Sequence, residues 1–186
     1  MHDAPPASRL GVVIGGDPVL SGAVRAALRT DSVALLETAD AASGLDVLVF
    51  IARDAAAPIA TTSVTEFSSR LGGELKAAFL ALQRGVAAIR AKGAGGAVVF
   101  VAPPASGPRA FDALQQGLRL LTKAAALELG PEGIRVNIVL PGAGATPLGR
   151  PCAPADVAAS VAFAASPRAH FMTGADLVVD GGRLAA

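Results

Sequence analysis

Cysteine is nearly absent from the chain. The 186 residues hold one, Cys152, which excludes an internal disulfide and any metal site built on several thiolates. Between Pro151 and Ala153 this thiol reads as a bystander, since neither His2 nor His170 sits in a local motif that would supply a base. Excess charge is missing too. Sixteen Lys and Arg against fifteen Asp and Glu leave +1, which gives no electrostatic footprint for nucleic acid or an anionic membrane. Long apolar runs are also lacking: 52% of the residues are apolar, yet charges, Gly and Pro interrupt each run. None approaches the roughly 18 residues of a membrane span. The opening MHDAPPASRL has no basic start followed by an apolar segment, so no secretory signal and a cytoplasmic location are expected. Residues 1–10 are expected to be a flexible tail and 11–186 a single domain, with no internal repeat and no metal site.

What the chain does contain is organised around Phe111 to Gly142. Leu114, Leu118, Leu121 and Ala125 recur at helical spacing, with a second apolar row of Ala113, Gly117, Leu120, Ala124 and Leu127 beside them. This pattern predicts a helix over 111–129 that buries two faces. Gly130, Pro131 and Gly133 end it, and the β-branched run Ile134–Leu140, closed by Pro141-Gly142, predicts a parallel strand covered on both sides. Upstream, Gly11–Ile14, Ser32–Glu37, Leu45–Ala52 and Gly96–Ala102 read as strands. Val19–Leu28, Phe67–Arg90 and Pro154–Ala165 read as helices, the second with Leu71, Leu75, Ala78, Leu82 and Val86 on one row.

The run LLTKAAALELGPEGIRVNIVLPG, and the ending FMTGADLVVDGG, resemble the short-chain dehydrogenase/reductase superfamily. The resemblance implies a three-layer α/β/α, Rossmann-like fold with a mostly parallel, doubly wound sheet of about six strands. Too few residues separate Glu37 from Leu45 for the helix, strand and helix usual there, so one outer strand/helix unit is expected to be deleted.

The same resemblance assigns the site, and most of its positions are altered. Where the family has Ser, Tyr and Lys stand Pro103, Phe111 and Gln115; where it has the Asn of Val-Asn stands Glu74. Phe111 cannot exchange a proton, Gln115 carries no charge and Pro103 has no hydroxyl. Ser106 is out of register to replace the serine. Phe50, Ile51 and Arg53 take the positions of the Asn-Asn-x-Gly strand end. In the glycine turn only Gly15 and Gly16 remain, while Val19 and Ser21 replace later glycines and Asp17-Pro18 reads as a helix N-cap with Pro at N1. Glu37 lies where an acid could hold a ribose, but reads more readily as a solvated strand end. Gly142 and Thr146 complete the vestigial cofactor positions. Glu74, Lys76, Arg84 and Arg90 are expected to be solvated or at an interface.

These departures imply a non-catalytic subunit that binds no cofactor. Its expected partners are an active short-chain dehydrogenase or a second copy, met through helices 67–90 and 111–129 and the C-terminal strand. One alternative is an NAD- or NADP-dependent short-chain oxidoreductase, like a 3-oxoacyl or ketone reductase, with an atypical site. Another is a small-molecule-sensing module, resting on fold analogy.

Overall fold

A computed structural model describes residues 9–39, 44–53, 57–104 and 112–185. Its six strands are β1 (Arg9–Gly15), β2 (Val33–Leu36), β3 (Val47–Ile51), β4 (Gly96–Val101), β5 (Ile134–Pro141) and β6 (Asp176–Val179). The helices are α1 (Pro18–Thr30), α2 (Val64–Lys92), α3 (Asp112–Leu129) and α4 (Pro154–Ala165). The strands form one sheet in the order β2-β1-β3-β4-β5-β6, with every pairing parallel. The order reverses direction between β1 and β3. β2 stands at the edge, and residues 37–46 alone join it to β3, so the outer unit expected to be missing is missing. Arg9 and Leu10 belong to β1, which therefore starts two residues inside the stretch expected to be a tail; residues 1–8 lie outside the described part.

Parallel strands under two helical layers must be apolar on both faces. Each of the five residues of β3, VLVFI, is buried, and so are the last five of β4. One face carries α2 and α3 over Leu48, Phe50, Phe100 and Ile138; the other carries α1 and α4 over Val13, Val49, Val99 and Val139. Burial of each such side chain stabilises the fold by about 1.5–3 kcal/mol. Phe50 and Phe100, paired in register on β3 and β4, meet edge to face at 6.2 Å. Gly117 lets α3 close on α2, since a Cβ there would come within 2.9 Å of Leu75 Cδ2.

The helix ends follow local chemistry. Asp17 caps α1 with Pro18 in its first turn, as expected from Asp17-Pro18. Ser63 caps α2 by accepting from Glu66 N, and Gly93, at φ 72°, closes it in the left-handed region. The α3 expectation needs correction. Leu114, Leu118, Thr122, Ala125, Ala126 and Leu129 face the sheet, whereas Leu120 and Leu127 are 68% and 83% exposed and Ala113 and Ala124 are exposed as well. One face is buried within the chain, because one sheet surface is all that α3 meets besides α2. No described helix is long and apolar enough to cross a membrane.

Candidate functional site

The carboxyl ends of β1, β3, β4 and β5 open into a crevice of about 740 Å³. It is built from short loops. The turn after β1 contributes Gly16 and Asp17, the end of β3 Ala52 and Arg53, and the ends of β4 and β5 bring Ala102 and Gly142. Cys152 and Val157, before and inside α4, complete the wall. The lining is mostly small and apolar, so it excludes little by shape and offers few polar groups to a ligand.

The glycine turn is a packing necessity. Gly15 and Gly16 have φ of 81° and 75°; a Cβ on the first would overlap the carbonyl oxygen of Ile51, and one on the second would lie 2.7 Å from Ile51 Cγ2. Just beyond, the Asp17 carboxylate accepts from the N–H groups of Val19 and Leu20 at 2.9 and 3.0 Å. The amides at the start of α1 are thereby satisfied by the chain itself. Gly142 is needed just past the end of β5, where a Cβ would come within 2.5 Å of Asp180 Cβ.

Glu74 departs from expectation. It is buried, not solvated: its carboxylate accepts from Arg53 Nε at 2.8 Å and from the Arg53 backbone N–H at 3.2 Å. A lone buried carboxylate would be costly, and the two Arg53 donors offset that cost. Arg84 is exposed, as is Lys76, and exposed Arg90 makes a two-pronged pair with Glu132 that ties the end of α2 to the turn after α3. Glu37 is exposed just past the end of β2.

The residues standing at the family's catalytic positions are partly brought together. Gln115 Nε2 donates to the carbonyl of Pro103 at 3.4 Å, and Pro103 is buried. Phe111 and Ser106 lie outside the described residues. Thr146 does not reach the crevice; its hydroxyl donates to the Arg150 carbonyl at 2.6 Å, and the residue lines a separate hollow of about 260 Å³ beside Asp180 and Gly181. Among the described residues there is no cluster of His, Cys, Asp and Glu able to hold a metal ion.

Two electrostatic features border the site. Burial pushes the Cys152 thiol above its ordinary pKa, and the Asp156 carboxylate adds to this against an opposing effect of Arg150. Asp156 is held down to about 2, first by hydrogen bonds from Arg150 and then by the Ala153 N–H. Sequence reasoning noted Arg53 and Cys152 but gave neither a place in the crevice. The signal for Arg53 was present: opposite charges stand at two positions, 53 and 74, where the related pattern is neutral.

The family model described as "Enoyl-(Acyl carrier protein) reductase" matches residues 29–150 and 143–183. The chain is 33% identical over 175 residues to the short-chain dehydrogenase/reductase eriH of Hericium erinaceus, an alignment covering 80% of this chain and 69% of that one. It is 34% identical over 140 residues to the trans-4-hydroxycyclohexanecarboxylate dehydrogenase of Sinomonas cyclohexanicum, covering 66% of this chain and 53% of that one. The chain thus spans between about half and two thirds of these relatives. A solved short-chain dehydrogenase/reductase family oxidoreductase from Burkholderia thailandensis superposes with a TM-score of 0.84 at 26% identity, covering 97% of this chain and 94% of that one.

These findings overturn one expectation. The relatives are named as dehydrogenases or oxidoreductases, which favours an oxidoreductase over the non-catalytic subunit expected from Pro103, Phe111 and Gln115. The altered letters were given too much weight against a fold that still opens a crevice at the carboxyl ends of its strands. The expectation that no cofactor binds is weakened with it.

Proposed function

The chain belongs to the short-chain dehydrogenase/reductase superfamily, and on that footing we propose that it is an NAD- or NADP-dependent oxidoreductase acting on a small apolar alcohol or ketone. The observation that carries this reading is where the crevice lies. It opens at the carboxyl ends of the strands, where the sheet order reverses between β1 and β3, the place at which open parallel sheets bind their ligands.

The residues fit a nicotinamide dinucleotide along most of that crevice. Small residues at Gly16, Ala52, Ala102, Gly142 and Ala143 leave room for a flat ring and its ribose, and the apolar lining suits an apolar substrate beside it. When bound, the cofactor would supply the hydride. The chain's own part is to hold the ring and the reacting carbon against the apolar lining. No tyrosine occurs anywhere in the 186 residues, so no phenol of this chain exchanges the accompanying proton, which would pass to or from water in the open crevice. Gln115, at the position of the family lysine, contributes at most a neutral hydrogen bond, and its nearest described partner is the Pro103 carbonyl. The site of this reading is therefore atypical, with Pro103, Phe111 and Gln115 in place of the usual three.

The exposed row of Leu120 and Leu127 on α3, with Phe79 and Leu80 on α2, supports self-association through these helices.

Titration of NADH and NADPH, followed by nicotinamide fluorescence, tests the reading. Saturable binding is expected, with cofactor turnover when alicyclic alcohols or ketones are added. No saturable binding at millimolar cofactor would sink it.

A further inference from the structure

Among the described residues lining the crevice there is one cation, Arg53, and one anion, Asp17. The anion stands where dinucleotide-binding folds place the pyrophosphate. Because Asp17 already accepts from Val19 N and Leu20 N, the free amides and positive dipole end that would draw phosphate to α1 are taken by a carboxylate of the chain. A phosphate approaching that helix meets repulsion instead of donors.

Arg53 has the opposite character. It follows Ala52 at the end of β3, and both its backbone N–H and its Nε are held by Glu74, a buried residue of α2. The terminal guanidinium nitrogens make no hydrogen bond among the described residues, and the side chain is 72% exposed. One edge of a planar fork is thus anchored, and the other has no partner among the described residues. That arrangement presents two parallel donors with little orientational freedom left to lose, which suits the oxygens of a phosphate.

We infer that Arg53, positioned by Glu74, is the phosphate-binding group of this crevice, standing in for the N-terminus of α1 that Asp17 has closed. The inference rests on the dinucleotide reading above and names the residue that binds its pyrophosphate. Arg53 and Glu74 act as a unit, since without the carboxylate the guanidinium has no fixed direction. Without the guanidinium the buried carboxylate has lost its counter-ion and keeps only the backbone N–H of residue 53.

The test compares NADH binding, by fluorescence, in the wild type, Arg53→Met and the double variant R53M/E74Q. The double variant removes the buried charge that, left without a counter-ion, can unfold the single one. Competition by ADP-ribose, which carries the pyrophosphate, and by nicotinamide riboside, which has no phosphate, separates the phosphate contact from the ring contact. Loss of Arg53 is expected to weaken NADH and ADP-ribose about tenfold or more and to leave nicotinamide riboside unchanged. Asp17→Ser, which keeps a cap and removes the charge, is expected to tighten NADH. If the folded Arg53 variants bind NADH as the wild type does, or lose nicotinamide riboside equally, the inference is overturned while the oxidoreductase reading stands. If the wild type shows no saturable NADH binding, that reading fails and takes the inference with it. Should both variants fail to fold, salt dependence in the wild type decides: binding that is insensitive to salt overturns the phosphate contact.

Discussion

Arg150 grips Asp156 with two parallel N–H···O bonds, of 2.6 Å from Nη1 and 2.8 Å from Nη2. The same carboxylate accepts from the Ala153 N–H and so stabilises the start of α4. These donors favour the charged form and lower the Asp156 pKa from 3.8 to about 2. A carboxylate whose folded pKa lies below its unfolded value adds stability that is complete above the unfolded pKa and is lost as pH falls through the folded one. The window here runs from about pH 4 down to about 2. Melting temperatures measured across that range in the wild type and in Asp156→Asn are expected to converge at the acid end, the variant showing the shallower slope. Parallel curves would dissociate Asp156 from acid stability.

Glycine substitutions are expected to split by position. Gly15→Ala places a methyl against the Ile51 carbonyl at φ 81°, where an L-residue is already strained, and should cost ~2 kcal/mol or more. Gly85→Ala drives a methyl into Leu48 and should also destabilise. Gly72, exposed in the middle of α2, has nothing within 4 Å of its added Cβ. Gly72→Ala is expected to stabilise by ~0.5–1 kcal/mol by lowering the entropy of the unfolded chain. Denaturant unfolding of the three variants checks the ordering, and a stabilised Gly15→Ala would refute the account of the turn.

The strands were legible because the features that make them are local. A run such as IRVNIVLPG is β-branched, flanked by Gly and Pro, and can be buried on both faces wherever the sheet lies. The missing outer unit was legible once the family resemblance said what usually stands there, since residues 37–46 cannot hold two helices and a strand. The orientation of α3 was not. Helical periodicity says that Leu120 and Leu127 share a face, but only the direction of the sheet decides that Leu114 and Leu118 are the buried ones. Nor was the pair Arg53–Glu74, whose members lie far apart in sequence and meet because α2 runs back beside the end of β3. Thr146 shows the same limit on the scale of a loop, for its hydroxyl is committed to the nearby Arg150 carbonyl.

Cys152 should be a slow nucleophile. Partial burial and the Asp156 carboxylate both disfavour the thiolate, so at neutral pH less of the reactive form is present than for a free cysteine. Alkylation by iodoacetamide, followed by mass as a function of pH, is expected to have its midpoint above that of an ordinary thiol. Because Cys152 lines the crevice, saturating NADH should slow the reaction further if it binds there. A midpoint below that of free cysteine would mean an environment other than the one described.

The outer face of α3 gives the last prediction. Leu120 and Leu127, seven residues apart, lie on one stripe with Ala113 and Ala124, and both leucines are mostly exposed in the isolated chain. Placing these side chains against a second copy would recover about 1.5–3 kcal/mol for each one buried. Phe79 and Leu80 on α2 are exposed as well and offer further apolar area. The wild type is therefore expected to run as a dimer or larger assembly in size exclusion with light scattering. The double variant Leu120→Glu with Leu127→Glu, which changes no residue that faces the sheet, is expected to weaken association by roughly a hundredfold or more while retaining the fold. A wild type that stays monomeric at concentrations well above micromolar would remove α3 as an interface and leave its apolar stripe without a role.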